Sequence, residues 1–356
     1  MFTFHLRDFL MDNHQVTYDL ASSSVKSISY PREIQSKFRS SLGYTDKLDR
    51  ELSAKVSTIY DLDAAKIVLL SGAQVANSIT LLTLLNSNDE IIVECPNYQP
   101  LVNVPRRLGL DVKKIKRRFE DDFHIRLNDL DDLISKDTKA LVITNPHNPS
   151  GKYLDRGDMK KIQRYLQEKD ILLIVDEIFN GFIDDDFSAI NLGENVIVTS
   201  SLSKVFGMGG VRIGWVVSKN ESFVEKINSV KYDFNLLNST NSEKLAIDVI
   251  ENREVLLKKV RTLAERNLSM VTGWIEGNDF FEWVPPTGGI ISFPKLKNTC
   301  DSITFSRRAI EADVLVAPGK FFSEDDEWNN HIRLCFGIKT GDLAVGLQRL
   351  SKVVRK

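Results

Sequence analysis

Short apolar runs recur along the first two thirds of this sequence, and they limit its possible folds more than any other feature. Each run is rich in Ile, Val and Leu and is bounded by turn residues, which is typical of strands buried on both faces of a sheet. Amphipathic segments with helical spacing, such as residues 158–169, separate several runs. Because such alternation produces parallel sheets flanked by helices, we predict an α/β fold with a mostly parallel central sheet. The runs are 67–70 (IVLL), 91–95 (IIVEC), 140–144 (ALVIT), 171–175 (ILLIV), 196–200 (VIVTS) and 213–218 (IGWVVS).

The character of the sequence changes near residue 245. Long charged amphipathic stretches begin there, and isolated strand-like pieces follow at 288–294 and 331–336. We therefore predict two domains, in keeping with a usual size of roughly 150 residues per domain. Residues 46–244 form the large domain, and residues 1–45 join residues 245–356 in a smaller α+β domain.

Composition argues against several classes of function. The net charge is −2, so the sequence does not have the basic character of a nucleic-acid-binding protein. The apolar runs are too short to cross a bilayer, and the first residues do not have the pattern of a secretory signal. Cys95, Cys300 and Cys335 are scattered and fit neither a disulfide framework nor a zinc site. These features predict a soluble, metal-free protein of the cytoplasm.

Polar residues follow the ends of successive predicted strands. Ligands of open α/β sheets bind beyond the carboxyl ends of the strands, so these residues are expected to meet at one edge. The small-residue turn at 71–74 opens a helix, and the start of a helix is a ready anion site. Any one of these residues has an ordinary structural interpretation, but together they predict a single functional site. The residues that follow the next four runs are Tyr98, Asn148, Asp176 and Lys204.

The segment SLSKVFGMGGVRIGW, residues 201–215, is the most informative stretch of the sequence. It places Lys204 after two serines and before glycines and Arg212, and it ends in a strand. A surface lysine needs no such neighbours. Partial burial and a neighbouring cation lower the pKa of a lysine and so activate its amine. The segment therefore predicts that Lys204 is a nucleophile beside groups that hold a phosphate.

A second interpretation of this segment involves serine acyl transfer. The motifs at 201–204 (SLSK), 239–241 (STN) and 339–341 (KTG) occur in the order that penicillin-binding-type enzymes use. Such short motifs arise by chance in a chain of this length. This alternative also leaves Asp176 and the segment 145–151 without a role.

Three motifs carry a resemblance to a known family. Residues 201–215 resemble its S-x-x-K…G…R-x-G-W box, NPHNPSG at 145–151 is close to its N-P-x-N-P-[TS]-G, and VDEIF at 175–179 is close to its D-E-x-Y. Over essentially its whole length the chain resembles the class I/II aminotransferases of fold type I, which depend on pyridoxal 5'-phosphate. The resemblance implies a cytoplasmic homodimer of amino acid metabolism. Its reaction would move an amino group between an amino acid and a 2-oxo acid.

The resemblance also implies roles for individual residues around the ring of the cofactor. Lys204 forms the internal aldimine, a Schiff base, and later moves the substrate proton. Asp176 pairs with the protonated pyridine nitrogen, and Tyr98 stacks on the ring face. Asn148 donates to the ring O3' and borders the substrate, whose α-carboxylate is clamped by Arg333.

The phosphate of the cofactor is assigned to a second set of residues by the same resemblance. The backbone at Ala73 and Gln74, together with Ser201 and Arg212, holds the phosphate. Tyr44 reaches the phosphate of the neighbouring subunit, so the two active sites of the homodimer are shared.

The sequence departs from the family pattern at several positions. Phe179 stands where a tyrosine is common, which removes one hydroxyl from O3'. Asp49 replaces the usual glycine after Tyr44, and the N-terminal substrate loop reads LASSS at 20–24, without its usual glycine. The second arginine that binds the side chain of dicarboxylic substrates has no matching motif. The amino donor is therefore left open.

Two further alternatives keep the cofactor and change the function. A lyase or a cyclising synthase would use the same residues, because these residues only build the carbanion. A cofactor-binding module of a transcription regulator would need an additional DNA-binding domain, for which the sequence before the predicted large domain leaves no room.

Overall fold

The computed structural model of the protein describes residues 5–13, 15–24, 46–185, 187–235, 237–297 and 300–353. The described chain begins with helix α1 (His5–Asp12) and the short strand β1 (Tyr18–Asp19). Tyr44, the predicted residue of the neighbouring site, lies outside the described residues.

The centre of the fold is a seven-stranded sheet. Its strands are β2 (Ile67–Leu70), β3 (Glu90–Cys95), β4 (Asp111–Lys116), β5 (Thr138–Thr144), β6 (Leu172–Asp176), β7 (Val196–Ser201) and β8 (Gly214–Ser218).

The strand order across this sheet is β2-β8-β7-β6-β5-β3-β4. β8 is antiparallel to β2 and β7, whereas all other neighbours are parallel. Each apolar run predicted from the sequence overlaps one of these strands, so the predicted α/β fold with a mostly parallel sheet is confirmed. β4 was not among the predicted strands. It is one of the two edge strands and carries three lysines, as DVKKIK, where a central strand would be apolar.

Helices cover both faces of this sheet because the strand side chains alternate between two hydrophobic cores. Val68 and Leu70 belong to the core under one face, whereas Ile67 and Leu69 belong to the core under the other. The helices of this part of the chain are α2 (Asp46–Tyr60), α3 (Ala73–Leu84), α4 (Pro100–Arg107), α5 (Leu127–Leu133), α6 (Arg156–Gln167) and α7 (Glu221–Phe234).

The long amphipathic stretch near residue 245 forms two helices, α8 (Thr240–Glu251) and α9 (Arg253–Glu276). Short strands and two more helices follow. These are β9 (Phe281–Glu282), β10 (Ile291–Ser292), β11 (Lys295–Leu296), α10 (Ser302–Glu311), β12 (Val314–Leu315), β13 (Ala317–Pro318), β14 (Ile332–Cys335) and α11 (Thr340–Val353).

The N-terminal segment is attached to this C-terminal part. β1 pairs in parallel with β12, and β14 lies between β10 and β13 in an antiparallel sheet. The domain division at residues 45 and 245 stays a prediction. Within the described ranges, we find no helix that combines the length and the apolar character needed to span a bilayer.

Candidate active site

A cavity opens where the parallel strands of the central sheet end. The end of β6, the segment after β7 and the start of α3 contribute to its walls. Most of the residues predicted from the sequence meet here. Those that line the cavity are Ala73, Gln74, Tyr98, Asn148, Asp176, Ser201, Lys204 and Arg212.

One end of the cavity is a cationic cradle at the start of α3. Gly72 precedes the helix with φ of +98°, and a Cβ there would lie 2.2 Å from Nη2 of Arg212. Only glycine therefore allows the guanidinium to sit against this turn. Arg212 donates to the carbonyl oxygens of Ser71 (2.8 Å) and Gly209 (3.1 Å), which fixes its position. The first amides of a helix have no acceptor within the helix and carry its positive dipole end, so this cradle suits an anion.

Two hydroxyl groups border the same cradle. The backbone amide of Ser203 donates to Oγ of Ser201 at 3.2 Å, which leaves the Ser201 hydroxyl hydrogen for another acceptor. The hydroxyl of Tyr98 donates to Oε1 of Gln74 at 3.1 Å. This bond ties the Tyr98 side chain to α3 beside the cavity.

Lys204 lines the same cavity as these groups and is partly buried. Burial lowers the pKa of its amine from 10.5 to about 8, and the positive charges of Arg333 and Arg212 act in the same direction. At pH 7 about one tenth of the amine is therefore neutral, far more than for an ordinary lysine. A neutral amine is both a nucleophile and a base.

Asp176 ends β6 and is only 6 % exposed. Burial raises the pKa of its carboxyl group to about 6, while hydrogen bonds from Asn77 and the Ile178 amide, and the charge of Lys204, oppose that rise. The group is therefore a carboxylate at neutral pH. Asn77 was not singled out from the sequence. Its spacing could have identified it, because it lies four residues after Ala73, about one helical turn, and therefore on the same face of α3.

Arg333 is only 2 % exposed and does not itself line the cavity, but it contacts Asn148, which does. It belongs to β14, and its Nη1 donates to Oδ1 of Asn148 at 3.0 Å. Nη2 donates to the carbonyl oxygen of Ala21 at 2.5 Å, so the N-terminal segment also contacts this arginine. Because Oδ1 of Asn148 is engaged by Arg333, the Asn148 NH₂ group is left to donate elsewhere.

Two departures from the family pattern also reach the cavity. Phe179 is buried and forms part of the wall, so the cavity has a phenyl ring where the family commonly has a phenol. Ser23, from the segment that lacks the usual glycine, lines the cavity as well.

The motifs of the serine acyl-transfer alternative are not brought together. Ser201 and Lys204 line the cavity, but among the described residues neither 239–241 nor 339–341 does so. The Thr340 hydroxyl instead donates to Oδ1 of Asn267 at 2.8 Å.

Comparison with known proteins agrees with this geometry. Residues 17–350 match the family model described as aminotransferase class I and II. The chain belongs to the class I and II aminotransferases. The aminotransferase depends on pyridoxal 5'-phosphate and catalyses transamination.

Individual relatives of this aminotransferase have different substrates in their names. An aspartate aminotransferase of Sulfurisphaera tokodaii is 27% identical over 334 residues, which cover 88% of this chain and 82% of the relative. An aromatic-amino-acid aminotransferase 2 of Thermococcus litoralis is also 27% identical, over 78% of this chain and 72% of the relative. The crystal structure of a PLP-dependent aminotransferase from Streptococcus suis superimposes with a TM-score of 0.92. It is 25% identical, and the match covers 99% of this chain and 97% of that chain.

Proposed function

We propose that this aminotransferase carries out its chemistry at Lys204, with pyridoxal 5'-phosphate held in the cavity described above. The observation that carries the proposal is the position of Lys204 in one cavity with a cationic cradle and a buried carboxylate. These groups match the aldehyde, the phosphate and the ring nitrogen of the cofactor.

The cradle fits the phosphate group. The phosphate carries nearly two negative charges, and a planar guanidinium such as that of Arg212 offers it paired donors. The amides of Ala73 and Gln74 at the start of α3 and the hydroxyl of Ser201 would complete the site. The tight packing of Gly72 against Arg212 supports this assignment, because a side chain at position 72 would displace the guanidinium.

Asp176 and Asn148 would hold the two polar atoms of the ring. When bound, the cofactor acts as an electron sink for the negative charge that develops at the substrate Cα. The Asp176 carboxylate would keep a proton on the ring nitrogen, because a buried anion favours the charged form of a neighbouring base. The NH₂ group of Asn148 would donate to the ring oxygen O3'.

Lys204 would serve as the base that removes the proton from the substrate Cα and returns it later. A general base works best when its pKa lies near the working pH, and a pKa of about 8 meets this condition. The neutral amine is kept in place by the short segment between β7 and β8. Partial burial also limits the water that competes for the proton.

Arg333 would hold the α-carboxylate of the substrate, beside Asn148. We expect Arg333→Lys to raise KM for the amino acid and for the 2-oxo acid together by about tenfold or more, because a paired contact to a charged group is lost. Steady-state kinetics with both substrates measure this. Arg349→Lys, which changes a surface arginine paired with Asp313, is the matched control and should leave both KM values unchanged. Unchanged KM values in Arg333→Lys would remove this residue from the substrate site.

The substrates are proposed to be amino acids and 2-oxo acids, with the amino donor to be found by assay. Purified protein should be tested with aspartate, aromatic and aliphatic amino acids against several 2-oxo acids. Amino transfer that requires the 2-oxo acid supports the proposal. Release of ammonia or of a cyclic product without an acceptor would favour a lyase or a synthase.

We also propose that the protein is a homodimer. Tyr232 and Phe234, at the end of α7, are 53% and 66% exposed. The next residue, Asn235, donates to Oγ of Ser71, and the Ser71 carbonyl oxygen accepts from Arg212. An apolar surface therefore adjoins the proposed phosphate site, where a second subunit would cover it.

A charge on this surface should dissociate the dimer. We expect Phe234→Glu to shift the mass measured by light scattering from dimer to monomer and to lower activity with it. Val255→Glu, on the exposed and apolar Val255 of α9, is the matched control and should remain dimeric. A wild-type protein that is monomeric at working concentrations would contradict the proposal.

A cytoplasmic location is proposed from the cysteine content of the sequence. The cysteines at 95, 300 and 335 are few and scattered, and they do not have the paired spacing of a disulfide framework. Such a cysteine content is usual for proteins of a reducing compartment. Cell fractionation tests this, and recovery from a secreted fraction would contradict it.

A further inference from the structure

Asn77 connects the helix of the anion cradle to the buried carboxylate. Its Nδ2 donates to Oδ2 of Asp176 at 2.9 Å, and both side chains are buried. The other oxygen of Asp176, Oδ1, accepts from the backbone amide of Ile178 at 3.1 Å. Each oxygen of the carboxylate therefore has one fixed donor within the protein.

Thr199 determines which way the Asn77 amide faces. Its hydroxyl donates to Oδ1 of Asn77 at 2.7 Å, and this side chain is fully buried. Thr199 is also the register partner of Asp176 on the neighbouring strand β7. Because Oδ1 accepts from Thr199, the NH₂ group must face Asp176. The order of donation runs from Thr199 through Asn77 to Asp176.

We propose that Asn77, oriented by Thr199, is a positioning residue that keeps Asp176 in the carboxylate form opposite the ring nitrogen of the bound cofactor. The inference rests on the proposed function, because it assigns Asp176 to the ring nitrogen. Asn77 acts on the cofactor through Asp176.

The position of Asn77 within α3 adds a second consequence. Ala73 and Gln74 form the first turn of this helix at the proposed phosphate site, and Asn77 lies about one turn further along it. One rigid element therefore sets the phosphate site and the orientation of Asp176 together. A shift of α3 would disturb both ends of the cofactor site at once.

The physical effect of Asn77 is on the charge of Asp176. Burial raises the pKa of the Asp176 carboxyl group, and the hydrogen bond from the Asn77 amide is the strongest of the interactions that oppose this rise. Without this donor, the neutral acid form of Asp176 becomes more stable relative to the carboxylate. A neutral Asp176 would no longer hold a proton on the ring nitrogen by charge pairing.

The test compares two cofactors in two proteins. The probes are pyridoxal 5'-phosphate and an analogue in which a C–H group replaces the ring nitrogen. The dissociation constant of each is measured by fluorescence with wild type and with Asn77→Leu. Only the natural cofactor pairs with the Asp176 carboxylate, whereas the analogue favours the neutral acid. We expect Asn77→Leu to reduce the preference for the natural cofactor by about 10- to 100-fold, the size of a lost hydrogen bond to a charged group.

The measured quantity is the ratio of the two dissociation constants, that of the analogue divided by that of the natural cofactor. If Asn77 had a purely structural role, its loss would weaken the binding of both probes equally and leave this ratio unchanged, which would overturn the inference. Thr199→Val should lower the ratio in the same direction, and Thr199→Ser, which keeps the hydroxyl, should restore it. An unchanged ratio in Thr199→Val would refute the orienting role of Thr199.

If wild type itself does not bind the cofactor through Lys204, the proposed function fails. If wild type does so and the ratio alone is unchanged, only the role of Asn77 fails.

Discussion

Lys204→Ala is expected to lower kcat for amino transfer by several orders of magnitude. The substitution removes the amine that links the cofactor to the chain and also the base that moves the substrate proton. Loss of a positioned general base alone costs about 10²- to 10⁴-fold in rate. The covalent contribution of an amine nucleophile is lost in addition.

The measurement is kcat with a saturating amino acid and 2-oxo acid, at equal cofactor content. Lys226→Ala removes an exposed lysine of α7 and serves as the matched control, with wild-type kcat expected. Added small amines should restore part of the rate in Lys204→Ala, because they replace the missing base. Wild-type turnover in Lys204→Ala would show that the chemistry takes place elsewhere.

Asp176→Asn is expected to lower kcat by about 10²- to 10³-fold while the fold persists. The amide has nearly the shape of the carboxylate but carries no charge, so the ring nitrogen loses its ionic partner. Loss of one preorganised electrostatic contact at a reaction centre has an effect of this size. Circular dichroism and cofactor content would establish that the variant is folded and loaded.

Glu177→Gln is the matched control for this substitution. Glu177 is the next residue and is also buried, but its oxygens accept from the Ser188 hydroxyl (2.8 Å) and the Ala189 amide (2.7 Å). Its side chain does not line the proposed active site. We expect Glu177→Gln to change stability more than kcat. Equal losses of kcat in the two variants would mean that Asp176 has no special role at the cofactor.

The strands and the main site residues could be predicted from the sequence because both follow from local patterns. A strand buried on both faces must be an apolar run, so β3 and β5 to β7 were recognisable from composition alone. Parallel strands bring their carboxyl ends to one edge, which is why Asp176 and Lys204 could be expected to meet. β4 escaped prediction because, unlike the other edge strand β2, it is only partly buried and so tolerates lysine.

The remaining features depend on tertiary contacts that local patterns do not report. Asn77 reads as an ordinary polar residue of a helix, and only the packing of α3 against β6 and β7 brings it to Asp176. The hydrogen bond from Arg333 to the Ala21 carbonyl oxygen joins two segments that are more than 300 residues apart in the sequence. Tyr44 and its role at a shared site stay predictions, because this residue lies outside the described ranges.

Reductive trapping shows which lysine carries the cofactor. Purified protein is treated with borohydride, digested and analysed by mass spectrometry. We expect one modified peptide, which contains Lys204 and carries the added mass of the reduced cofactor, and none from Lys204→Ala. A modified peptide centred on another lysine would contradict the role of Lys204 at the cofactor, as would an active, cofactor-loaded enzyme that gives no adduct.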